Sequence, residues 1–429
     1  MNIIYLAAGA GAMYCGACAR DINIIRALTA QGHSVQVLPL YTPLRIEGDA
    51  VSTTGVFLGG INAYLQQVSG IFRRTPQFLD RLLDHPALLR FASSFAVRTS
   101  PKDLGAMTVS VLQGRDGRQA KELHKLIGYL EHGRRPDVIV ITNSLLSGIA
   151  PELRRHLDIP ILCGLQGEDQ FVRSMPEQYR DQARELMARN AEAIDLFIAP
   201  TAGYAAEMAD FMALSPERIR LVRTGFPASQ YRHDQPRVRE PFTIGYLSVI
   251  TPIKGLDLLV RAFRTLVVEQ GRDCRLRVAG RIMHGRYWQQ QKKSIGAAGL
   301  AERFEYLGEV DLAAKLRFLR SCSVFSVPSR FAEARGLAMM EGMASGVPVV
   351  APDSGVFPEL LGITGGGLLF PQGDADALAE CIASLMDAPD RLDEMGRKGA
   401  DRIAAEFSAE RAAEEMLAVL AEVVTPENG

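Results

Sequence analysis

What this sequence lacks narrows it first. It lacks a dominant charge: 48 Lys and Arg against 49 Asp and Glu leave a formal net charge of −1. No global field draws such a chain to nucleic acid or to acidic lipid, so no nucleic-acid partner is expected. It also lacks any apolar run of the roughly 18 residues that a bilayer-spanning helix needs. The opening Met1-Asn2-Ile3-Ile4-Tyr5-Leu6-Ala7-Ala8 has no basic leader and runs straight into glycines, which reads as a buried strand rather than a signal peptide. A cytoplasmic location is the expectation, with peripheral membrane contact left open. Six cysteines lie at 15, 18, 163, 274, 322 and 381, and only Cys15 and Cys18 are close neighbours. One Cys-x-x-Cys without a second pair or a nearby His is a poor zinc site, and small size beside glycines is reason enough for it. Scattered thiols suit a reducing compartment. No His cluster has metal spacing, so neither metal nor cofactor is expected.

What is present is an ordinary globular composition, 47% hydrophobic and 23% charged over 429 residues, too long for one core and right for two or three domains. An apolar strand, a glycine turn from Gly9 to Gly16, a helix ending near Gly32 and a strand Ser34–Leu40 begin a parallel sheet covered by helices. Further buried strands are expected at Asp137–Ile141, Ile159–Cys163 and Leu196–Pro200. The stretch 41–128 breaks this rhythm with amphipathic pieces such as Pro76–Leu83 and an apolar segment near Met107–Leu112, and reads as an elaboration of the first domain. A polar, proline-bearing stretch, 227–240, reads as a linker. The pattern then restarts with strands at Phe242–Leu247, Cys274–Ala279, Phe304–Leu307, Val324–Val327 and Val347–Val350. The arginines 272, 275, 277 and 281 suggest an edge strand with a wet outer face. The expected domains are 1–226, 241–405 and a terminal helix in 406–429 that packs back on the first. An α/β fold of two facing Rossmann-like domains follows, with ligands expected at the carboxyl ends of the strands, in the cleft between domains.

The strongest local signal is Glu333-Ala334-Arg335-Gly336-Leu337-Ala338-Met339-Met340-Glu341, followed by Gly342-Met343-Ala344-Ser345-Gly346-Val347-Pro348. Gly336 lets backbone approach a ligand at a helix start, where free N–H groups and the dipole favour phosphate. Glu341, one to two turns into that helix, can accept ribose hydroxyls, and Glu333 can accept sugar hydroxyls. Alone, the two carboxylates would equally read as a cap and a solvated residue.

The stretch Pro328–Pro352 resembles the nucleotide-sugar signature of glycosyltransferase family 4, with its two glutamates separated by seven residues. The first glycine turn is similar to that family's, as are Phe242–Phe263 with Lys254-Gly255, Phe304–Gly308, and Gly365–Leu378 with Pro371, Gly373 and Asp374. The resemblance is close over most of the second domain and looser over the first. It implies the GT-B fold and a metal-independent, retaining transferase whose partner is a nucleotide diphosphate sugar. Residue by residue it implies Glu341 on the donor ribose, Glu333 on the transferred sugar, amides of Gly336 and Leu337 on sugar or diphosphate, and Lys254 neutralising the leaving diphosphate. Gly11 and Gly16 would bring backbone near the donor. A dinucleotide fingerprint is not supported, because Tyr14 replaces its last glycine and no acid follows the second strand.

Two departures stand out. Where the family carries an arginine five residues before the lysine, this chain has Val249. Arg335 is a candidate substitute, since a guanidinium grips phosphate bidentately, although a surface arginine is the plainer alternative. Where many relatives carry a histidine after the fourth strand, this chain reads Gly164-Leu165-Gln166-Gly167-Glu168-Asp169. Gln166 can hydrogen-bond a sugar but cannot shuttle a proton, and Glu168 can contact a sugar or cap the next segment. Asp374-Ala375-Asp376 resembles a metal-binding Asp-x-Asp, but helix capping explains both acids. The sequence leaves open the base, the sugar and the acceptor, whether a glycan, a lipid-linked sugar or a small molecule. It also leaves open a sugar-nucleotide epimerase, a phosphorylase or a silent sugar-nucleotide-binding protein on the same scaffold.

Overall fold

The computed structural model of the chain describes residues 1–8, 16–40, 101–232 and 240–424. It contains two compact units, residues 1–225 with 409–429 and residues 226–408.

The first unit is built on six parallel strands, β1 (Asn2–Ala7), β2 (Ser34–Pro39), β3 (Val138–Ile141), β4 (Ile161–Gly164), β5 (Leu196–Ala199) and β6 (Ile219–Leu221), in the order β2-β1-β3-β4-β5-β6. β3 and β4 are buried at every position, as strands covered on both faces must be. The order reverses between β1 and β3, which puts the switch point at the carboxyl ends of these two strands. The segment Met107–Leu112 is the end of a helix, Pro101–Leu112. The last helix, Ala409–Val423, belongs to this unit: Ala412, Ala413, Met416, Val419 and Leu420 share a core with Ile24, Ile25 and Leu28 of the helix Gly16–Ala30. Gly225 permits that packing, because a Cβ there would meet Ile24 at 3.0 Å and Ala412 at 3.2 Å.

The second unit carries β7 (Phe242–Leu247), β8 (Cys274–Ala279), β9 (Phe304–Tyr306), β10 (Val324–Phe325), β11 (Val349–Pro352) and β12 (Gly367–Phe370), ordered β12-β11-β10-β7-β8-β9 and parallel throughout. Counted from β7 this is the doubly wound order, with its switch point between β7 and β10. Two expectations change here. The stretch 227–240 does not begin as a linker, because Ala228 and Tyr231 lie in this unit's core and the rings of Phe226 and Tyr231 stack at 4.9 Å. Residues 233–239 lie outside the described residues. The arginine-rich strand is not an edge either: β8 lies between β7 and β9, and Arg277 is half-buried on Glu305 at 2.6 Å. Its wet face is a paired ionic strip on an inner strand. Asp374 caps the helix Ala375–Met386, accepting from Asp376 N at 3.0 Å and Ala377 N at 2.9 Å.

Leu420 is fully buried in the first unit's core. Leu420→Ala should therefore lower that unit's stability by about 2–5 kcal/mol, read as a lower urea midpoint. An unchanged midpoint would mean that the last helix is not docked there.

Candidate functional site

The site in the second unit is assembled by one close approach of backbones. After β7 the chain makes a one-turn helix, Pro252–Lys254, and then Gly255 at φ +69°. A Cβ on Gly255 would stand 1.9 Å from the carbonyl oxygen of Pro328, just beyond β10. Only glycine allows both the left-handed backbone and that contact. The loops from the two sides of the switch point are thereby pressed together, and Arg330 N donates to Ile253 O at 2.9 Å.

This contact puts Lys254 against Glu333. The ammonium donates to Glu333 Oε1 at 2.7 Å, with the two side chains 19% and 14% exposed. It also lies 4.6 Å from the centre of the Phe331 ring, a cation–π contact. Ser329 Oγ, buried, donates to the same Glu333 oxygen. Under the loop, Tyr246 OH donates to Lys254 O at 3.4 Å, and burial holds that phenol far above its usual range, so it stays a neutral donor. Glu333 is clamped by its backbone: its carbonyl accepts from Val356 N at 2.8 Å, and Gly355 at φ +58° approaches too closely for any Cβ.

Gly336, at φ +62°, is the N-cap of the helix Leu337–Ala344, and no side chain caps that end. The amides at its start are the orphan donors of any helix N-terminus, and Glu333 of the Lys254–Glu333 pair lies three residues before Gly336 in the chain. Arg335 is half-buried on the turn between Glu333 and Gly336. Val249 is 44% exposed, and two further exposed apolar side chains, Ile253 and Met283, lie on the loops after β7 and β8. Glu341 sits inside the helix with its side chain 11% exposed, and its Oε1 accepts from Tyr231 OH at 2.8 Å and from Lys315 Nζ at 2.5 Å. Ser329, Phe331, Tyr231 and Lys315 were not singled out from the sequence. Only the first two lie near the motif, where their closeness to Glu333 was a usable signal.

In the first unit, Gly16 opens the helix Gly16–Ala30 and Gly11 lies outside the described residues. Gln166 is buried, and its amide donates to Thr142 O at 2.6 Å and to Asp21 Oδ2 at 3.1 Å. Glu168 is buried too, accepting from Ser144 N at 3.0 Å and Gln166 N at 2.5 Å. Tyr204, kept protonated by burial and by the carboxylates of Glu168 and Asp169, donates to Asp169 at 2.9 Å. Gln166 and Glu168 thus tie together the loops after β3 and β4. Arg20 is buried with Nη2 on Val222 O at 3.1 Å. Cys163 is fully buried, and its thiol is raised by that burial, so it is no nucleophile.

A groove also opens at the amino ends of β7, β8 and β9, lined by Arg275, Arg277, Arg303 and Glu305 among others, but that is the wrong end of a doubly wound sheet for a ligand. Among the described residues no three His, Cys, Asp or Glu side chains converge as metal ligands, and no helix is long and apolar enough to cross a membrane.

Two parallel six-stranded units with such a site belong to the GT-B class of fold. Likeness to solved structures agrees: HepE of Anabaena, crystallised with UDP, superposes with a TM-score of 0.69 at 17% identity, covering 98% of this chain and 100% of that one. Sucrose-phosphate synthase of Thermosynechococcus elongatus gives 0.70 at 19%, covering 98% and 99%. The description "Glycosyl transferases group 1" matches residues 228–402, and "Glycosyl transferase 4-like domain" matches residues 22–225. The two matches together cover most of the chain, which belongs to this glycosyltransferase family. It is 29% identical over 236 residues to the MMP alpha-(1->4)-mannosyltransferase of Mycolicibacterium hassiacum, covering 55% of this chain and 56% of that protein. It is 34% identical over 182 residues to the lipopolysaccharide core biosynthesis mannosyltransferase LpsB of Rhizobium meliloti, covering 41% and 50%. The matched stretches span about half the length of these curated relatives.

Gly255→Ala should cost clearly more stability than the roughly 1–2 kcal/mol of a left-handed residue bearing a Cβ. Gly271→Ala sets that baseline, since its φ is +64° and nothing lies within 4 Å. Equal losses in denaturant unfolding would contradict the close approach at Pro328.

Proposed function

We propose that this glycosyltransferase moves a hexosyl group from a nucleoside diphosphate sugar to an acceptor hydroxyl, with retention at the anomeric carbon and without a metal ion. The observation that carries the reading is the Lys254–Glu333 pair beside the uncapped helix start at Gly336, at the switch point of a doubly wound sheet. A solved relative of the fold binds UDP-glucose, and several relatives in sequence are mannosyltransferases, one of them GDP-mannose-dependent. Mannose on GDP and glucose on UDP are therefore the donors to try first. Relatives' names point to lipopolysaccharide core biosynthesis, phosphatidylinositol mannoside and D-inositol 3-phosphate, so glycan, lipid-linked and small polyol-phosphate acceptors are the classes to try, with peripheral membrane contact for a lipid-linked one. The buried thiols Cys163, Cys274 and Cys322 fit a reducing compartment, and we place the enzyme in the cytoplasm.

In this reading Glu333 holds the donor sugar and orients Lys254, while Lys254 and the amides of Gly336 and Leu337 meet the charge growing on the diphosphate. As the bond from C1 to the phosphate oxygen breaks, the acceptor oxygen bonds C1 from the same face. The acceptor proton passes to the departing phosphate oxygen, so no separate base is required. Fixed positive groups of the protein take the role that a divalent ion plays elsewhere.

Lys254→Ala should lower kcat by about 10²–10³-fold, the usual effect of losing one donor to developing charge, while NMR of the wild-type product shows the donor's anomeric configuration. EDTA should leave the rate unchanged. An inverted product, or chelator-sensitive transfer, would overturn the mechanism. Arg335→Ala should lower donor affinity if Arg335 stands in for the cation absent at Val249, and unchanged affinity and turnover would reject that role.

A further inference from the structure

Lys315 occupies an unusual place. It lies in the first turn of the helix Leu312–Arg320, whose N-cap is Asp311, and its side chain is only 13% exposed. A lysine at a helix N-terminus opposes the helix dipole, and burying its ammonium costs desolvation, so neither helix stability nor solubility accounts for it. What holds it is Glu341: Lys315 Nζ donates to Glu341 Oε1 at 2.5 Å, and the same ammonium stands 5.6 Å from the centre of the Tyr231 ring. Tyr231 OH, itself buried, donates to that same oxygen at 2.8 Å.

Both donors therefore converge on one oxygen of the carboxylate. Glu341 Oε2 accepts from no described residue. A carboxylate held by two fixed donors on one oxygen cannot rotate freely, and its second oxygen stays available for a ligand. Two vicinal hydroxyls are the donor pair that suits a single fixed acceptor edge.

We propose that Lys315, with Tyr231, is a positioning residue that presents Glu341 Oε2 to the ribose hydroxyls of the donor, and that it thereby sets the enzyme's preference for ribonucleotide over 2′-deoxyribonucleotide sugars. The proposal rests on the assignment of Glu341 to the ribose in the reading above. The binding is the same in ground and transition states, so its loss raises KM and spares kcat.

The test uses the full chain and whichever of GDP-mannose and UDP-glucose it turns over, each beside its 2′-deoxyribose counterpart. Lys315→Met should raise KM for the ribose donor about tenfold, as expected for a weakened charge-assisted hydrogen bond, with kcat nearly unchanged. It should also bring the ribose and deoxyribose KM values together. Lys315→Arg should restore most of the preference, and Tyr231→Phe, which removes one hydroxyl, should give a smaller shift in the same direction and covers the case in which Lys315→Met fails to fold. Wild-type KM values and preference in both Lys315→Met and Tyr231→Phe would overturn the proposal. Glu341→Gln separates the two failures. If it abolishes the preference while Lys315→Met and Tyr231→Phe do not, the positioning role alone falls; if it too leaves the preference intact, the ribose assignment falls.

Discussion

The second unit depends on one backbone contact, the approach of Gly255 to the carbonyl of Pro328 across the switch point. In a doubly wound sheet the strands on either side of that point send their loops in opposite directions, leaving a crevice. Here the two loops are stitched back together beyond the strand ends. The stitch carries a lysine from one strand to a carboxylate that follows the other, and it fixes both beside a helix whose first amides have no side-chain cap. Charge, donor and acceptor thus come from three short segments. The same approach explains why a glycine must follow the lysine, since any side chain there would separate the loops and with them the ion pair.

Much of this was legible in the sequence, for identifiable reasons. Buried parallel strands are continuous apolar runs, so the strands expected at Asp137–Ile141 and Val347–Val350 appear, with shifted bounds, as Val138–Ile141 and Val349–Pro352, and a helix in the terminal segment docks on the first unit. Glu333, Gly336 and Glu341 lie within nine residues, a range over which local pattern is informative. The partners of those glutamates were legible to very different degrees. Ser329 lies four residues from Glu333, whereas Lys315 and Tyr231 lie 26 and 110 residues from Glu341. Such pairs arise from the order of strands, which a single sequence does not display.

Two misreadings have physical causes. Alternating arginines on β8 look like the outer face of an edge strand, yet the neighbouring β9 supplies Glu305 to pair Arg277, so an inner strand can carry the same alternation. The polar, proline-bearing composition after Phe226 suggests a linker, but Phe226 and Tyr231 are large enough to anchor its start in the second unit's core. Gln166 and Glu168, which the sequence offers as possible sugar contacts or, for Glu168, a cap, have polar atoms that join Thr142, Asp21 and Ser144 and so tie the first unit's loops together.

The central claim is that the diphosphate of a nucleotide sugar is received where β7 and β10 part. A crystal structure of the enzyme with GDP-mannose or UDP-glucose tests it most directly. The account predicts phosphate oxygens within hydrogen-bond reach of Lys254 Nζ and of the amides that begin at Gly336. A nucleotide bound instead at the amino ends of β7 and β8, among Arg275 and Arg277, would contradict it.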